Sequence, residues 1–229
     1  MEELWKACVD GKVEKVIKLL QNPQININWR NENDFDRTPL YIALYIACGF
    51  GHIEIVKLLL NDQRVDINRK RIGQTPFQIA CHFGHLEVAK LLLNDQRVDI
   101  NEIRNSDAPF HVACFEGCIE IVKHFLNDER FDINEVNDDG ETPFYVACEN
   151  RRFEIVKFLL NDERVDINKK NENNRTPFWI ACKSGHIEIV KLLLNNERVD
   201  IKKANKNGET PFYIACYKGN INIVKYFLT

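Results

Sequence analysis

No stretch of this 229-residue sequence approaches the ~20 consecutive apolar residues that a membrane-spanning helix needs. Basic charge is not in excess either: 31 Lys and Arg face 34 Asp and Glu, for a net charge of −3. That balance argues against strong non-specific nucleic-acid binding, which rests on a basic face. The opening residues, MEELWKACVDGK, lack the basic start and apolar stretch of a secretory signal. There is no HExxH pair, no Ser–His–Asp set and no phosphate-cradling glycine loop. The expectation is a protein that is not an enzyme, with no cofactor, no metal site, no nucleic-acid partner and no membrane span, placed in the cytoplasm or the nucleus.

Proline and threonine are also scarce, and their placement is informative. Pro39, Pro76, Pro109, Pro143, Pro177 and Pro211 are six of the seven prolines, and all fall in one recurring motif. It reads TPFQIAC at 75–81, APFHVAC at 108–114, TPFYVAC at 142–148, TPFWIAC at 176–182 and TPFYIAC at 210–216. A stretched copy, TPLYIALYIAC, occupies 38–48, and residues 1–8 keep only the closing AC.

Eight cysteines could suggest a disulfide framework, but seven of them close this motif: Cys8, Cys48, Cys81, Cys114, Cys148, Cys182 and Cys216. Equivalent sites in stacked repeats lie one helix diameter, ~10 Å, apart. A disulfide needs Cα atoms within about 7 Å. The cysteines are therefore read as reduced, small apolar residues of an intracellular protein. Cys118 alone breaks the pattern. It forms a lone CxxxC with Cys114, for which a structural reading is preferred to a metal site.

Successive motif cysteines are 33 or 34 residues apart, after one step of 40 between Cys8 and Cys48. A period in the low thirties marks an array of helical repeats. The unit is clearest at 171–200, NENNRTPFWIACKSGHIEIVKLLLNNERVD. Thr176 suits an N-cap and Pro177 the first helical position. Phe178, Ala181 and Cys182 share a helical face. Gly185 ends the first helix in the left-handed conformation. The second helix, HIEIVKLLLN, places Ile187, Val190, Leu193 and Leu194 on an inner stripe. Ile189 and Leu192 are expected to reach toward the neighbouring repeats. Glu188 and Lys191 form an exposed pair, echoed at Glu54/Lys57, Glu87/Lys90, Glu120/Lys123 and Glu154/Lys157. Asn195 is expected to stop this helix in a left-handed conformation, and a polar, turn-rich finger follows.

TPF or TPL closing in AC, then GHxEIVKxLL and DIN before the next unit, resembles the ankyrin repeat, whose pattern has TPLHxAA, GHxEVVxLLL and ADVN at these places. The resemblance covers essentially the whole chain. It implies an all-α solenoid of stacked helix-turn-helix units with protruding hairpin-like loops and a concave groove. Such units are stable only when stacked. A single domain over 1–229 is expected, with units at about 1–28, 29–68, 69–101, 102–134, 135–168, 169–202 and 203–229.

Departures from the pattern single out particular units. The first reads as a polar end cap, with Trp5 packed against the second. The second gains a longer loop carrying Trp29 and Phe35, and four extra helical residues. One added turn keeps the apolar face nearly in register, so a longer first helix is predicted with Tyr41 and Tyr45 on the same side. A tolerated duplication of one turn is preferred to a ligand-shaping protrusion. In the fourth unit Ala108 replaces the capping Thr, and Ser106 the finger glycine. In the fifth, Arg151 stands where others have Gly, and Asn150 is expected to take the left-handed turn. The last helix has no polar outer face, so the chain is expected either to be part of a longer protein or to pair at that end; the expected state is a monomer or a weak end-to-end association through the uncapped C-terminal repeat.

The family resemblance implies binding of a partner protein or peptide in the concave groove and at the finger tips. Carried over residue by residue, the groove position after TPF holds Tyr41, Gln78, His111, Tyr145, Trp179 and Tyr213, with Tyr45 in the inserted turn. The two positions after each AC hold Phe50, His82, Phe83, Phe115, Glu116, Glu149, Lys183 and Tyr217, beside Gly49, Asn150, Ser184 and Lys218. These vary while the scaffold repeats, and they are rich in the aromatic residues of interface hot spots. An apolar strip of Tyr41, Tyr45, Phe50, Phe83 and Phe115 is the favoured surface. The competing reading is that rings after TPF hold neighbouring repeats together.

Other features are read structurally. His52, His85 and His186 share one repeat position and are expected to bond backbone at the inter-helix turn. The fingers alternate basic groups (Arg69, Lys70, Arg71, Lys169, Lys170, Lys202, Lys203, Lys206) with acidic Asp138, Asp139 and Glu141. A self-balanced edge is preferred there to a bipolar partner surface. Asn68 and Asn134 resemble positions that ankyrin hydroxylases modify. The sequence thus reads as a non-catalytic interaction scaffold. The alternative is a spacer or targeting arm of a larger protein whose activity lies beyond Thr229.

Overall fold

The computed structural model describes residues 2–22, 38–68, 74–98 and 108–228. Trp29, Phe35, Arg69, Lys70, Arg71 and Ser106 lie outside the described residues. The chain divides into two compact parts, residues 1–103 and 104–229. The first part holds α1 (Glu2–Val9), α2 (Val13–Gln21), α3 (Pro39–Phe50), α4 (Ile53–Leu60), α5 (Pro76–His82) and α6 (Leu86–Leu93). The second holds α7 (Pro109–Glu116), α8 (Ile119–Leu126), α9 (Pro143–Glu149), α10 (Phe153–Leu160), α11 (Pro177–Ser184), α12 (Ile187–Leu194), α13 (Pro211–Tyr217) and α14 (Ile221–Phe227). No strand occurs among the described residues. Within each part odd-numbered helices pack on odd and even on even, and each pair closes as a hairpin. This is the all-α repeat architecture the motif implies.

The motif starts each first helix by a local mechanism. The Thr176 hydroxyl accepts the Trp179 backbone N–H at 3.1 Å, and Thr142 accepts that of Tyr145 at 3.2 Å. Thr75 adds a capping box, its own N–H donating to Gln78 Oε1 at 2.7 Å. Ala108 makes no side-chain cap, which removes about 1 kcal/mol at that end. Proline follows at the first position, where its missing N–H has no partner to lose.

The first helix ends for a tertiary reason as well as a local one. Gly51 takes φ 71°, and a Cβ there would stand 2.7 Å from His85 Nδ1 in the next repeat. In the fifth unit the expectation for Asn150 is corrected: Asn150 keeps φ −96° and Arg151 itself takes φ 60°. The register between the two helices fixes which residue must turn, so Arg151 accepts roughly 1–2 kcal/mol of strain. Asn195 is corrected too. It keeps φ −82°, and its N–H bonds the Lys191 carbonyl at 3.2 Å, so the helical path runs through it.

The second helices bury Ile189, Val190 and Leu193, with Ile187, Leu192 and Leu194 half-buried. Ile189 therefore belongs to the core, because α10 and α14 flank α12 on both sides. Glu54–Lys57, Glu87–Lys90, Glu120–Lys123 and Glu188–Lys191 pair at 2.7–3.0 Å on the exposed side. Exposed pairs of this kind contribute little.

The DIN asparagines tie successive loops. Asn134 Nδ2 donates to the Arg164 carbonyl at 2.8 Å and Asn134 Oδ1 accepts the Asp166 N–H at 2.8 Å. Asn168 repeats both bonds with Arg198 and Asp200. In the stretched unit α3 runs for 12 residues, against seven or eight in the other motif-bearing first helices. Tyr41 and Tyr45 lie on the same side, rings 6.1 Å apart and tilted by 46°. None of the eight cysteines is joined by a disulfide, and six are buried. Cys216 is exposed.

Candidate functional site

The odd-numbered helices of the first part carry an apolar groove of about 690 Å³. Its lining comes from three consecutive repeats: Trp5 and Val9 of α1, Tyr45, Ile46, Gly49 and Phe50 of α3, and Ile79 of α5, with Phe83 and His85 just beyond. The lining carries no Asp, Glu, Lys or Arg. Three large rings around it face solvent: Trp5 is 47% exposed, Phe50 56% and Phe83 57%. Trp5 thus stands on the rim of a groove and not inside the interface expected for it.

Local structure holds these rings in place. Phe50 stacks on His52 with centroids 6.0 Å apart and planes 8° apart. Phe83 meets the His82 ring edge-on at 4.8 Å. Both anchoring turns are fixed in turn by backbone bonds. His52 Nε2 lies 3.0 Å from the Val9 carbonyl, and His85 Nε2 lies 3.1 Å from the Gly49 carbonyl. The backbone-bonding role expected for these histidines is what they perform.

Gly49 sets the depth of the groove. A Cβ there would meet Ile79 Cγ1 at 3.5 Å and Phe83 Cε2 at 4.0 Å, ordinary contact distances. The fold leaves room for a side chain at this helical position, and the chain places none. The equivalent positions carry His82, Phe115, Glu149, Lys183 and Tyr217.

The remaining candidate residues divide by environment. The expectation that the position after TPF lines an exposed surface is corrected at five of its six copies, where Tyr41, Gln78, His111, Tyr145 and Trp179 are buried. Several reach the succeeding finger. His111 Nε2 lies 2.8 Å from the Glu141 carbonyl, Trp179 Nε1 donates to the Glu209 carbonyl at 3.0 Å, and Tyr145 Oη accepts from Asn171 Nδ2 at 3.3 Å. These side chains are ties between repeats. Tyr45 is nearly buried and shows one edge to the groove. Tyr213, the sixth copy, is exposed, as are Phe115 and Tyr217 in the second part. His82, Glu116, Glu149 and Lys183 are half-buried.

At Cys8, Cys114, Cys118 and Cys148 burial works against a reactive thiolate. Burial pushes the Cys8 thiol up to about 12, and raises Cys118 as well, with Glu116 adding to the effect. A nucleophilic thiolate needs the opposite shift. Among the described residues no group of three or more His, Cys, Asp or Glu could hold a metal ion, and no helix is long and apolar enough to cross a membrane.

A stack of two-helix units with capped first helices, histidine-braced turns and bridging loops defines a class of repeat protein. The ankyrin-repeat family model matches in three copies, over residues 4–104, 96–171 and 163–229, and the chain belongs to the ankyrin-repeat family. Among curated proteins no sequence matches it. Ankyrin repeats are in general protein–protein interaction modules.

Residue-level reading of the motif missed Trp5, Val9, Ile46, Ile79 and His85 as groove residues. Trp5 was legible as an aromatic at the groove position of α1. Its exposure of 47% was not, because burial at this position is set by contacts distant in sequence.

Proposed function

We propose that this chain is a non-catalytic module that binds a partner protein or peptide, and that the principal contact surface is the groove lined by Trp5, Tyr45, Phe50 and Phe83. One observation carries the reading: three exposed aromatic rings surround an uncharged groove of about 690 Å³ drawn from three successive repeats. Exposed apolar patches of this kind mark interaction sites, and aromatic residues dominate their energetics. Finger tips of the second part, acidic at Asp138 and Asp139 and basic one repeat later at Lys169 and Lys170, form a secondary polar contact. A cytoplasmic or nuclear location belongs to the same proposal and is supported by six buried, unbridged cysteines.

The test is affinity capture with wild type and with the Phe50→Ser/Phe83→Ser double variant. Both rings are exposed, so the variant keeps its urea midpoint. Partners held through the groove disappear from the variant. If every captured partner is retained, the groove is not the contact surface and the chain acts as a spacer.

A further inference from the structure

In three successive units of the second part the residue just before the capping threonine is Glu141, Arg175 and Glu209. Each glutamate is bonded by the asparagine four residues earlier. Asn137 Nδ2 donates to Glu141 Oε2 at 3.4 Å, and Asn205 Nδ2 to Glu209 Oε2 at 2.5 Å. Asn171 cannot serve Arg175 in this way, because the amide NH₂ and the guanidinium are both donors. Its Nδ2 donates instead to Glu141 Oε1 and Tyr145 Oη, each at 3.3 Å. Its Oδ1 is taken by the backbone N–H groups of Asn173 and Arg175, both at 3.0 Å. Arg175 Nε, shut off from solvent, has no acceptor, and the half-buried guanidinium forms no ion pair among the described residues.

What holds Arg175 is a ring. Its guanidinium carbon lies 4.8 Å from the centroid of the Trp179 ring. Trp179 is 1% exposed and is itself fixed by the bond from its Nε1 to the Glu209 carbonyl at 3.0 Å. Stacking uses the face of a guanidinium and leaves the donors of its edge, which point outward in its plane, free for an acceptor. A role confined to covering the indole would leave a buried donor unpaired, a cost that an acceptor arriving at that edge offsets.

We propose that Arg175 anchors the carboxylate of an acidic residue in a partner peptide, and that the residues flanking this acid in the peptide are basic. The proposal concerns the second part and is independent of the groove reading. The surroundings select the chemistry. Glu141 and Glu209 hold the equivalent position one repeat before and one repeat after. The Glu141 carboxyl is raised above its ordinary value by burial first and by Glu149 next. Glu141, Glu149 and Arg175 all act on the buried Tyr145 hydroxyl, the two acids raising it after burial and Arg175 lowering it. Negative charge on either side of one guanidinium disfavours a doubly charged phosphate. It suits a single carboxylate with Lys or Arg beside it, each charge facing its opposite.

Peptide titrations into the isotope-labelled full chain test this, read by the Arg175 Nε–H and Trp179 Nε1–H resonances. Equivalent positions lie ~10 Å apart, about three residues of extended chain at ~3.3 Å each. The probe is therefore Lys-Ser-Ser-Glu-Ser-Ser-Lys, blocked at both ends. Its controls carry Gln or phosphoserine in place of Glu, or have Lys and Glu exchanged. The Glu peptide is expected to shift both resonances saturably and to bind at least about tenfold more tightly than the Gln and exchanged peptides. That preference is expected to vanish in Arg175→Gln, its fold checked by urea midpoint, and to persist in Phe50→Ser/Phe83→Ser. The wild-type comparison needs no variant and decides alone where Arg175→Gln does not fold. The proposal is overturned if the Glu peptide does not bind, if the Gln or exchanged peptide binds equally, or if the preference survives in Arg175→Gln. Tighter binding of the phosphoserine peptide overturns it in favour of phosphate. Binding lost in Phe50→Ser/Phe83→Ser overturns it by assigning the peptide to the groove of the first part.

Discussion

His186 Nε2 lies 2.7 Å from the carbonyl oxygen of Glu149, 37 residues earlier in the chain. His52 and His85 make the same contact, and two side chains of other types reach the equivalent carbonyl of their own preceding repeat. Arg152 Nε donates to the Phe115 carbonyl at 2.6 Å, and Asn220 Nδ2 to that of Lys183 at 3.0 Å. Imidazole, guanidinium and carboxamide thus serve one purpose: each ties a turn to the end of the helix before it. His186→Ala is expected to lower stability by about 1–2 kcal/mol, since the bond is lost and its acceptor is left without that donor. His186→Asn is expected to recover most of that, as Asn220 does in the next repeat. Urea midpoints at neutral pH measure both. An Asn variant as unstable as the Ala variant would exclude the shared role.

Stacked repeats share their core with their neighbours, so stability is close to a nearest-neighbour sum. Phe178 is buried between α11 and the helices around it, and its ring meets Phe227 at 6.0 Å. Phe178→Ala is expected to cost ~3–5 kcal/mol through lost burial and a residual cavity. Lys191→Ala removes an exposed pair with Glu188 and should change stability by less than about 0.5 kcal/mol. Urea melts of the two variants, ranked in the opposite order, would contradict the stacking account.

Helix positions were legible because their causes are local. Thr142, Thr176 and Thr210 cap within three residues of themselves, and a proline beside each fixes the next φ. The period then set the fold. The site was legible only in part. Phe50 and Phe83 stand out because they follow the closing AC, where the scaffold does not dictate the residue. Tyr145 and Trp179 stood out equally by variation, yet they are buried, because the succeeding finger folds over them. Burial at that position is decided by contacts 26–30 residues away, which no local pattern encodes. Arg151 shows the same limit at the backbone: the left-handed step follows helix register and not residue preference.

His111 makes one interface sensitive to pH. Burial holds its imidazole below the ordinary histidine value of 6.5, and the bond with the Glu141 carbonyl opposes this only in part. Between the folded pKa and 6.5 the unfolded chain binds a proton that the folded chain does not. The stabilisation is therefore complete above 6.5 and is lost as pH falls through the folded pKa. The Glu141 carboxyl, raised above its usual 4.5 chiefly by burial and next by Glu149, acts in the opposite sense and is present in both proteins compared. His111→Gln supplies the residue found at Gln78 and does not titrate. Wild type is expected to lose more stability than His111→Gln between about pH 7.5 and about pH 5. Equal losses in urea titrations at the two pH values would show that His111 is not the group responsible.

Gly49 separates what the fold needs from what the groove needs. It lies inside α3, where glycine is disfavoured by ~1 kcal/mol relative to alanine. A Cβ there meets Ile79 and Phe83 at ordinary contact distances, so no steric demand keeps it glycine. Gly49→Ala is expected to raise stability by up to about 1 kcal/mol, less if the end of the helix softens the gain. The added methyl fills the floor between Ile79 and Phe83 and makes the groove shallower. Partners captured through Phe50 and Phe83 should then bind Gly49→Ala more weakly although the protein is more stable. Thermal unfolding and affinity capture, read on the same preparation, give the two numbers. If stability and capture move in the same direction, Gly49 acts on the fold alone and the depth of the groove is not what the partner reads.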